Sequence, residues 1–282
     1  MRAFQYHRPS TLAEAAELLT RFGAEAAVLA GGTDLLVRLR KGKQYFPQVI
    51  DIKHIQDLDA EIRQSEDSLH IGALTSMAAV AWHPLVQQHY PALAEAADTV
   101  GSVQIRNRAT LAGNICNASP AADTAPALLI FDARVHIHGA QGARVLPMRE
   151  FFLAPGKTAL QPGELVTALE LPLPAQPCGS AYQRLTRRRG VDLATLSAAC
   201  HVGASGNAVF AFGAVAPTPL LVRDDGQWLP STDATQRDAQ LQALIEHASP
   251  ISDIRASREY RLAMLKVITL RALESAFQRL TV

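Results

Sequence analysis

Residues 101–129 read GSVQIRNRATLAGNICNASPAADTAPALL, and this stretch constrains the fold more than any other. It mixes Gly, Asn, Ser, Thr and Pro with short apolar pieces, yet it lies between segments that read as regular structure. A polar, turn-rich insert inside a compact domain is more often functional than idle. Its centre is Thr110-Leu111-Ala112-Gly113-Asn114, continuing through Ile115-Cys116-Asn117-Ala118-Ser119-Pro120-Ala121-Ala122-Asp123. Small residues let a ligand come close, and the amides and hydroxyls can bond a polar one. Asp123 can accept from sugar hydroxyls or a ring N–H. A packed loop that satisfies its own backbone accounts for the same residues equally well.

Towards the N-terminus stands a second glycine-bearing string, Ala30-Gly31-Gly32-Thr33-Asp34-Leu35-Leu36. The apolar run Ala26-Ala27-Val28-Leu29-Ala30 reads as a buried strand that stops at the paired glycines. Glycine lets the backbone turn sharply, and successive free N–H groups can form a nest for a phosphate oxygen. Thr33 adds a hydroxyl. Alone, the string reads more readily as a strand–helix turn capped by Asp34, because short glycine motifs are weak signals. A dinucleotide has a pyrophosphate, two sugars and two ring systems, so two such loops suit it better than one. No GxGxxG follows a strand and no GxxxxGK[ST] occurs, which argues against a Rossmann site and a P-loop.

Around the two loops the chain alternates helix and strand signals. Thr11 and Glu14 make a capping box before an apolar stripe of Leu12, Ala15, Ala16, Leu18 and Leu19. Strands are predicted at 48–52, 69–73, 134–138 and 165–171. Thr75 is the expected cap of a helix beginning near Ser76, and Pro91 opens a helix reaching Thr99. Three prolines in residues 172–177 mark a boundary. Beyond it, strands are predicted at 181–185, 196–203 and 208–215, with a hairpin turn at Ser205-Gly206-Asn207. Helices are expected over 239–247 and 257–280. Strands followed by helices imply an α+β C-terminal domain.

Composition excludes several classes. The 282-residue chain is 48% hydrophobic and 19% charged with a net charge of +1, so nothing in it favours nucleic acid or an anionic membrane. No stretch approaches a membrane helix, MRAFQYHRPS lacks the apolar run of a signal peptide, and the expected location is cytoplasmic. Cys116, Cys178 and Cys200 are sparse and show no CxxC spacing, so no disulfide framework, zinc site or cluster is expected in this chain. The Asn117-Ala118-Ser119 sequon would stay unused in the cytoplasm. Arg184, Arg187, Arg188 and Arg189 form a basic run, read as a solvated face or as a contact for phosphate or a partner. The nine histidines form no HExxH, and no Ser-His-Asp or Cys-His arrangement follows from spacing.

The two loops, in this order and separation, resemble those of the medium, FAD-binding subunit of the xanthine dehydrogenase and carbon monoxide dehydrogenase families, the molybdenum hydroxylases. The family patterns AGGTDLL and TIGGNI.NASPAADTAPAL stand here as AGGTDLL and TLAGNICNASPAADTAPAL. GSVQIRNRAT, YQRLTRRRGVDLAT, FGAVAPTPL and DIRASREYRLAMLKVITLRAL also resemble the family, which extends the match from about Phe4 to about Leu273. The flavour is that of a bacterial xanthine dehydrogenase FAD subunit. Ala112 stands where the family has Gly, which is tolerable only if φ is negative there.

The resemblance implies an α+β fold: a vanillyl-alcohol-oxidase-like FAD-binding domain over residues 1–175, with α/β subdomains of about 1–55 and 56–175. A small sheet-and-helix domain of the CO dehydrogenase type would follow at 178–282. By the same implication Val28, Leu29, Ala30, Gly31, Gly32, Thr33, Asp34 and Leu35 wrap the FAD pyrophosphate. Val100, Thr110, Leu111, Ala112, Gly113 and Asn114 hold the other side, with Asn117 and Asp123 nearby, Leu165 packed on the cofactor and Arg184 near the flavin. Catalytic and metal-binding residues are expected to be absent. The implied partners are a large molybdopterin-binding subunit and a small [2Fe–2S] subunit, assembled as a dimer of heterotrimers. FAD would collect electrons from the clusters and pass them to NAD⁺ or another acceptor. A self-standing flavin oxidase and an assembly protein that has lost FAD are the competing readings.

Overall fold

The computed structural model describes residues 2–42, 44–224 and 226–280. The chain opens with β1 (Gln5–His7), α1 (Leu12–Phe22), β2 (Ala26–Leu29), α2 (Leu35–Lys41) and β3 (Gln48–Asp51). The strands form a parallel sheet in the order β1-β3-β2, the arrangement that helical crossovers permit. The Thr11 hydroxyl caps α1 by accepting from the Glu14 N–H at 3.2 Å. The Glu14 carboxylate reaches back one residue further than expected, to the Ser10 N–H at 2.8 Å.

A second unit carries β4 (Ile62–Gln64), β5 (Ser68–Gly72), α3 (Met77–Trp82), α4 (Pro84–His89), α5 (Pro91–Asp98), α6 (Val103–Arg106), α7 (Leu111–Cys116) and α8 (Thr124–Ile130). It continues with β6 (Arg134–Gly139), β7 (Gly142–Pro147), α9 (Met148–Phe151), β8 (Phe152–Ala154), β9 (Lys157–Thr158) and β10 (Leu165–Pro172). Its main sheet is antiparallel, in the order β4-β5-β10-β6-β7. Period-two alternation puts Leu69, Ile71, Val135, Ile137, Leu169 and Leu171 in the core. His70, Arg134, His136 and Glu170 take the opposite face, where His136 Nε2 and Glu170 lie 2.7 Å apart.

Two local expectations change here. Ser76, not Thr75, caps α3, accepting from the Ala79 N–H at 3.1 Å, while Thr75 is buried. The turn-rich stretch is three short helices of four, six and seven residues, too short to show a periodic apolar stripe. Ser102 and Thr110 start the first two through their hydroxyls.

The rest of the chain is β11 (Cys178–Leu185), β12 (Leu196–Gly203), β13 (Ala208–Gly213), β14 (Leu220–Asp224), α10 (Ala234–Ile245) and α11 (Arg258–Leu280). The strands form an antiparallel meander in sequence order. Both faces of this sheet are buried. Ala198, Cys200, Phe210 and Phe212 join the core with α10 and α11, whereas Tyr182, Ala199 and Ala211 join the N-terminal core. Helix α10 starts five residues before its predicted start because Asp233 caps it, accepting from Thr235 and Gln236. No helix among the described residues is long and apolar enough to cross a membrane. The observed architecture is the mixed α+β one that the sequence implies.

Helix α11 lies against β11 so closely that a Cβ on Gly179 would stand 1.9 Å from the Ala276 carbonyl oxygen. Gly179→Ala is therefore expected to cost about 1–3 kcal/mol, the range of overpacked cores. Urea unfolding checks this; an unchanged midpoint would show that the helix can shift without cost.

Candidate cofactor site

The first glycine turn leaves β2 at Ala30 and enters α2 at Leu35. Gly32 has φ +75°, a left-handed conformation that favours glycine, and a Cβ there would press on the Leu29 and Leu36 side chains. Among the described residues, the N–H groups of Gly31, Gly32, Thr33 and Asp34 have no hydrogen-bond acceptor. Asp34 does not cap α2 through its side chain. Four consecutive unanswered donors, none of them deeply buried, are a backbone run of the kind that can receive an anion.

The turn is clipped from behind. Asp51, at the end of β3, is 2% exposed and accepts from Lys53 Nζ at 2.6 Å and Tyr6 Oη at 2.5 Å. Lys53 Nζ also donates to the Ala30 carbonyl at 3.3 Å, so one ammonium joins the buried carboxylate to the turn. Burial works against the Asp51 anion, but the bonds from Lys53 and Tyr6 outweigh it and hold its pKa below the ordinary carboxylate range.

The second loop sits directly on the first. A Cβ on Gly31 would stand 1.9 Å from the Arg108 carbonyl oxygen and 2.9 Å from the Ala109 Cα, so the two backbones touch where no side chain fits. Arg38 of α2 donates to the Asn117 carboxamide oxygen across the same seam. The loop is anchored to the turn before α3 by Met77 N–H to Ala109 O at 2.8 Å and Leu111 N–H to Thr75 O at 3.1 Å. Thr110 caps α7 at Gly113, which is solvent-exposed, and Thr124 donates to the Asn114 carboxamide oxygen at 2.7 Å. Ala112 is helical with its methyl buried, and it is not among the residues with positive φ. The residue that departs from the family pattern therefore fits without strain.

The far end of the second loop is fastened to the C-terminal sheet. Asp123 is buried; it accepts from Tyr182 Oη at 2.6 Å and from Arg184 Nη1 at 3.2 Å. Burial pushes its carboxyl above the ordinary range despite both donors, and burial likewise pushes the Tyr182 phenol well up. The Ala214 N–H donates to the Pro120 carbonyl at 2.7 Å.

The structure thus brings Gly31 against Arg108 and Ala109, just before Thr110, and joins α2 to Asn117 through Arg38. Asp123 and Arg184 form their own bridge beside it. Val100 lies half-buried at the edge, its carbonyl accepting from Arg106 at 3.3 Å. Leu165 is 3% exposed at the start of β10, inside the core. Sequence reading missed Tyr6, Arg38, Lys53 and Tyr182, whose partners stand 45, 79, 23 and 59 residues away.

A turn with open N–H groups, seamed to a second polar loop, defines a dinucleotide-binding α+β protein. A family model described as FAD binding domain in molybdopterin dehydrogenase matches residues 2–174. One described as CO dehydrogenase flavoprotein C-terminal domain matches residues 180–276. The xanthine dehydrogenase FAD-binding subunit of Escherichia coli O157:H7 is 34% identical over 278 residues, covering 96% of this chain and 95% of its own. The carbon monoxide dehydrogenase medium chain of Hydrogenophaga pseudoflava is 34% identical over 282 residues, with 98% of each covered. Among solved structures, reconstituted CO dehydrogenase from Oligotropha carboxidovorans matches with a TM-score of 0.92 at 33% identity, over 99% of both chains. The chain belongs to the FAD-binding subunits of the molybdenum hydroxylase family, which makes it an oxidoreductase subunit with an FAD-binding domain.

Because the Asp51 pKa is depressed on folding, its stabilisation is present above the ordinary carboxylate pKa and is lost as pH falls through the depressed value. Lys53→Met is expected to lower stability at neutral pH by about 1–3 kcal/mol, the cost of an unanswered buried acceptor. The gap to the unaltered protein should narrow in acid. Urea unfolding at the two pH values checks both points; a gap independent of pH would assign the loss to something other than Asp51.

Proposed function

We propose that this chain is the flavin relay of a cytoplasmic molybdenum hydroxylase complex. A large subunit holds molybdopterin, and a small subunit carries [2Fe–2S] clusters that feed electrons to the FAD of this chain. The electrons leave to NAD⁺ or another acceptor, and the complex assembles as a dimer of heterotrimers. Residues 1–175 form the cofactor-binding unit and 178–282 the unit that closes over it.

The observation that carries this reading is the seam itself, where the glycine turn packs on Arg108 and Ala109 and leaves four N–H donors open. When bound, FAD supplies the redox chemistry, including the change between one- and two-electron steps. The chain supplies position. The backbone of Val28–Leu35 receives the pyrophosphate, with the Thr33 hydroxyl adding a donor. Thr110, Leu111, Ala112, Gly113 and Asn114 hold the opposite side, and Val100 and Asn117 border it. The bridge of Tyr182 and half-buried Arg184 to buried Asp123 fixes the second loop against the C-terminal sheet. Leu165 supports the loop from the core. No side chain here needs to act as an acid or base, because substrate chemistry belongs to the large subunit.

Gly31→Ala drives a methyl into the Arg108 carbonyl and spreads the seam. A cost of about 1–3 kcal/mol at the site corresponds to FAD binding weaker by about five- to 150-fold. Flavin absorbance of the purified chain, with and without added FAD, reads this directly. An unaltered chain that is colourless and takes up no FAD would sink the reading. In the assembled complex, candidate substrates of the large subunit should reduce the flavin, and NADH should reduce it from the other side.

A further inference from the structure

The seam brings one more group to the glycine turn. The Arg108 carbonyl oxygen is the atom that a Cβ on Gly31 would meet at 1.9 Å, so the Arg108 backbone touches the residue that begins the run of open N–H groups. That backbone is itself fixed. The Arg108 N–H donates to the Ile105 carbonyl at 3.0 Å, and the Ala109 N–H donates to the same carbonyl at 2.7 Å. Ala109 is buried, and its carbonyl accepts from the Met77 N–H at 2.8 Å. The point from which the Arg108 side chain starts is therefore set beside the turn, and only its own rotamers are free.

The side chain has no task within the fold. It is exposed, and among the described residues it has no hydrogen bond, ion pair or ring contact. Other cations of this region are engaged or distant. Lys53 pairs with Asp51 at 2.6 Å, Arg106 with Asp98 at 3.2 Å, and Arg38 donates to Asn117. Arg40 and Lys41 are exposed, but they stand in the last turn of α2, about 9 Å further along the helix axis than Asp34.

The turn has a use for a free charge. Asp34 ends the run of open N–H groups with an exposed carboxylate that has no partner among the described residues. A diphosphate on this run would meet backbone dipoles that attract it and a carboxylate that repels it. The N–H groups are neutral donors. A guanidinium adds a full charge and a planar fork of donors that fits two phosphate oxygens.

We propose that Arg108 is the counter-cation of the cofactor's diphosphate, and that it adds to the chain's preference for FAD over a flavin without phosphates. This rests on the functional reading given above. The test is equilibrium titration of the apo chain with FAD and with riboflavin over a range of salt, for the unaltered protein, Arg108→Gln and Arg108→Lys. Arg108→Gln is expected to keep its melting temperature, because the side chain touches nothing in the fold. It should bind FAD about tenfold more weakly, the size of one charge-assisted hydrogen bond, with riboflavin affinity unchanged. Arg108→Lys should recover part of the loss, since it restores the charge without the fork. Added salt should weaken FAD binding less steeply in Arg108→Gln than in the unaltered chain.

FAD binding by Arg108→Gln as tight as that of the unaltered chain at low salt would overturn the proposal. So would an equal loss for FAD and riboflavin, which would make Arg108 a prop of its loop rather than a partner of the phosphates. An unaltered chain that takes up no FAD would instead overturn the functional reading beneath it.

Discussion

Gly31 touches the backbone of Arg108 and Ala109 at a distance that leaves no room for a Cβ, and much of the site follows from that contact. Backbone against backbone sets the spacing of the two loops more firmly than any side-chain pair could, because neither partner has a rotamer to change. It also explains why the turn keeps its N–H groups open. The Gly31 approach and the left-handed Gly32 hold the peptide units away from any internal acceptor. A buried, fully answered turn would be more stable alone and useless to a ligand.

The remaining structure holds this seam from three directions. From behind, the Tyr6–Asp51–Lys53 cluster fixes the carbonyl at which the turn begins. From the side, Arg38 joins the helix after the first loop to Asn117 of the second. From the far end, the C-terminal sheet grips the second loop through Tyr182, Arg184 and Ala214. The last grip shapes the core: residues of β11, β12 and β13 are shared between the two hydrophobic clusters, so the sheet packs on both faces. Near-continuous apolar strands such as Leu196–Gly203 are the signature of that double burial.

How much of this the sequence displayed depends on the range of each interaction. Strands β5, β6 and β10 showed themselves through alternation, and β12 and β13 through apolar runs joined by Ser205-Gly206-Asn207. Strand β7 did not, because it lies at a sheet edge with a largely exposed pattern. The three-residue β4 is too short to alternate visibly. The glycine loops were legible as a pair through their resemblance to a known family, although each alone stayed ambiguous. Lys53 carried no local mark: its role depends on Ala30 arriving from another strand. The Asp123–Tyr182 bond, between residues 59 apart, is likewise invisible until the sheet forms.

The central claim is that the open N–H groups of residues 31–34 receive a diphosphate. Equilibrium titration of the apo chain with FAD, and separately with riboflavin, tests it most directly, since the two share the ring and differ in the diphosphate and adenosine. Two charge-assisted hydrogen bonds of about 1.5 kcal/mol each would make FAD bind roughly a hundredfold more tightly. Equal affinities for FAD and riboflavin would contradict the account, since the glycine turn would then contribute nothing to holding the cofactor.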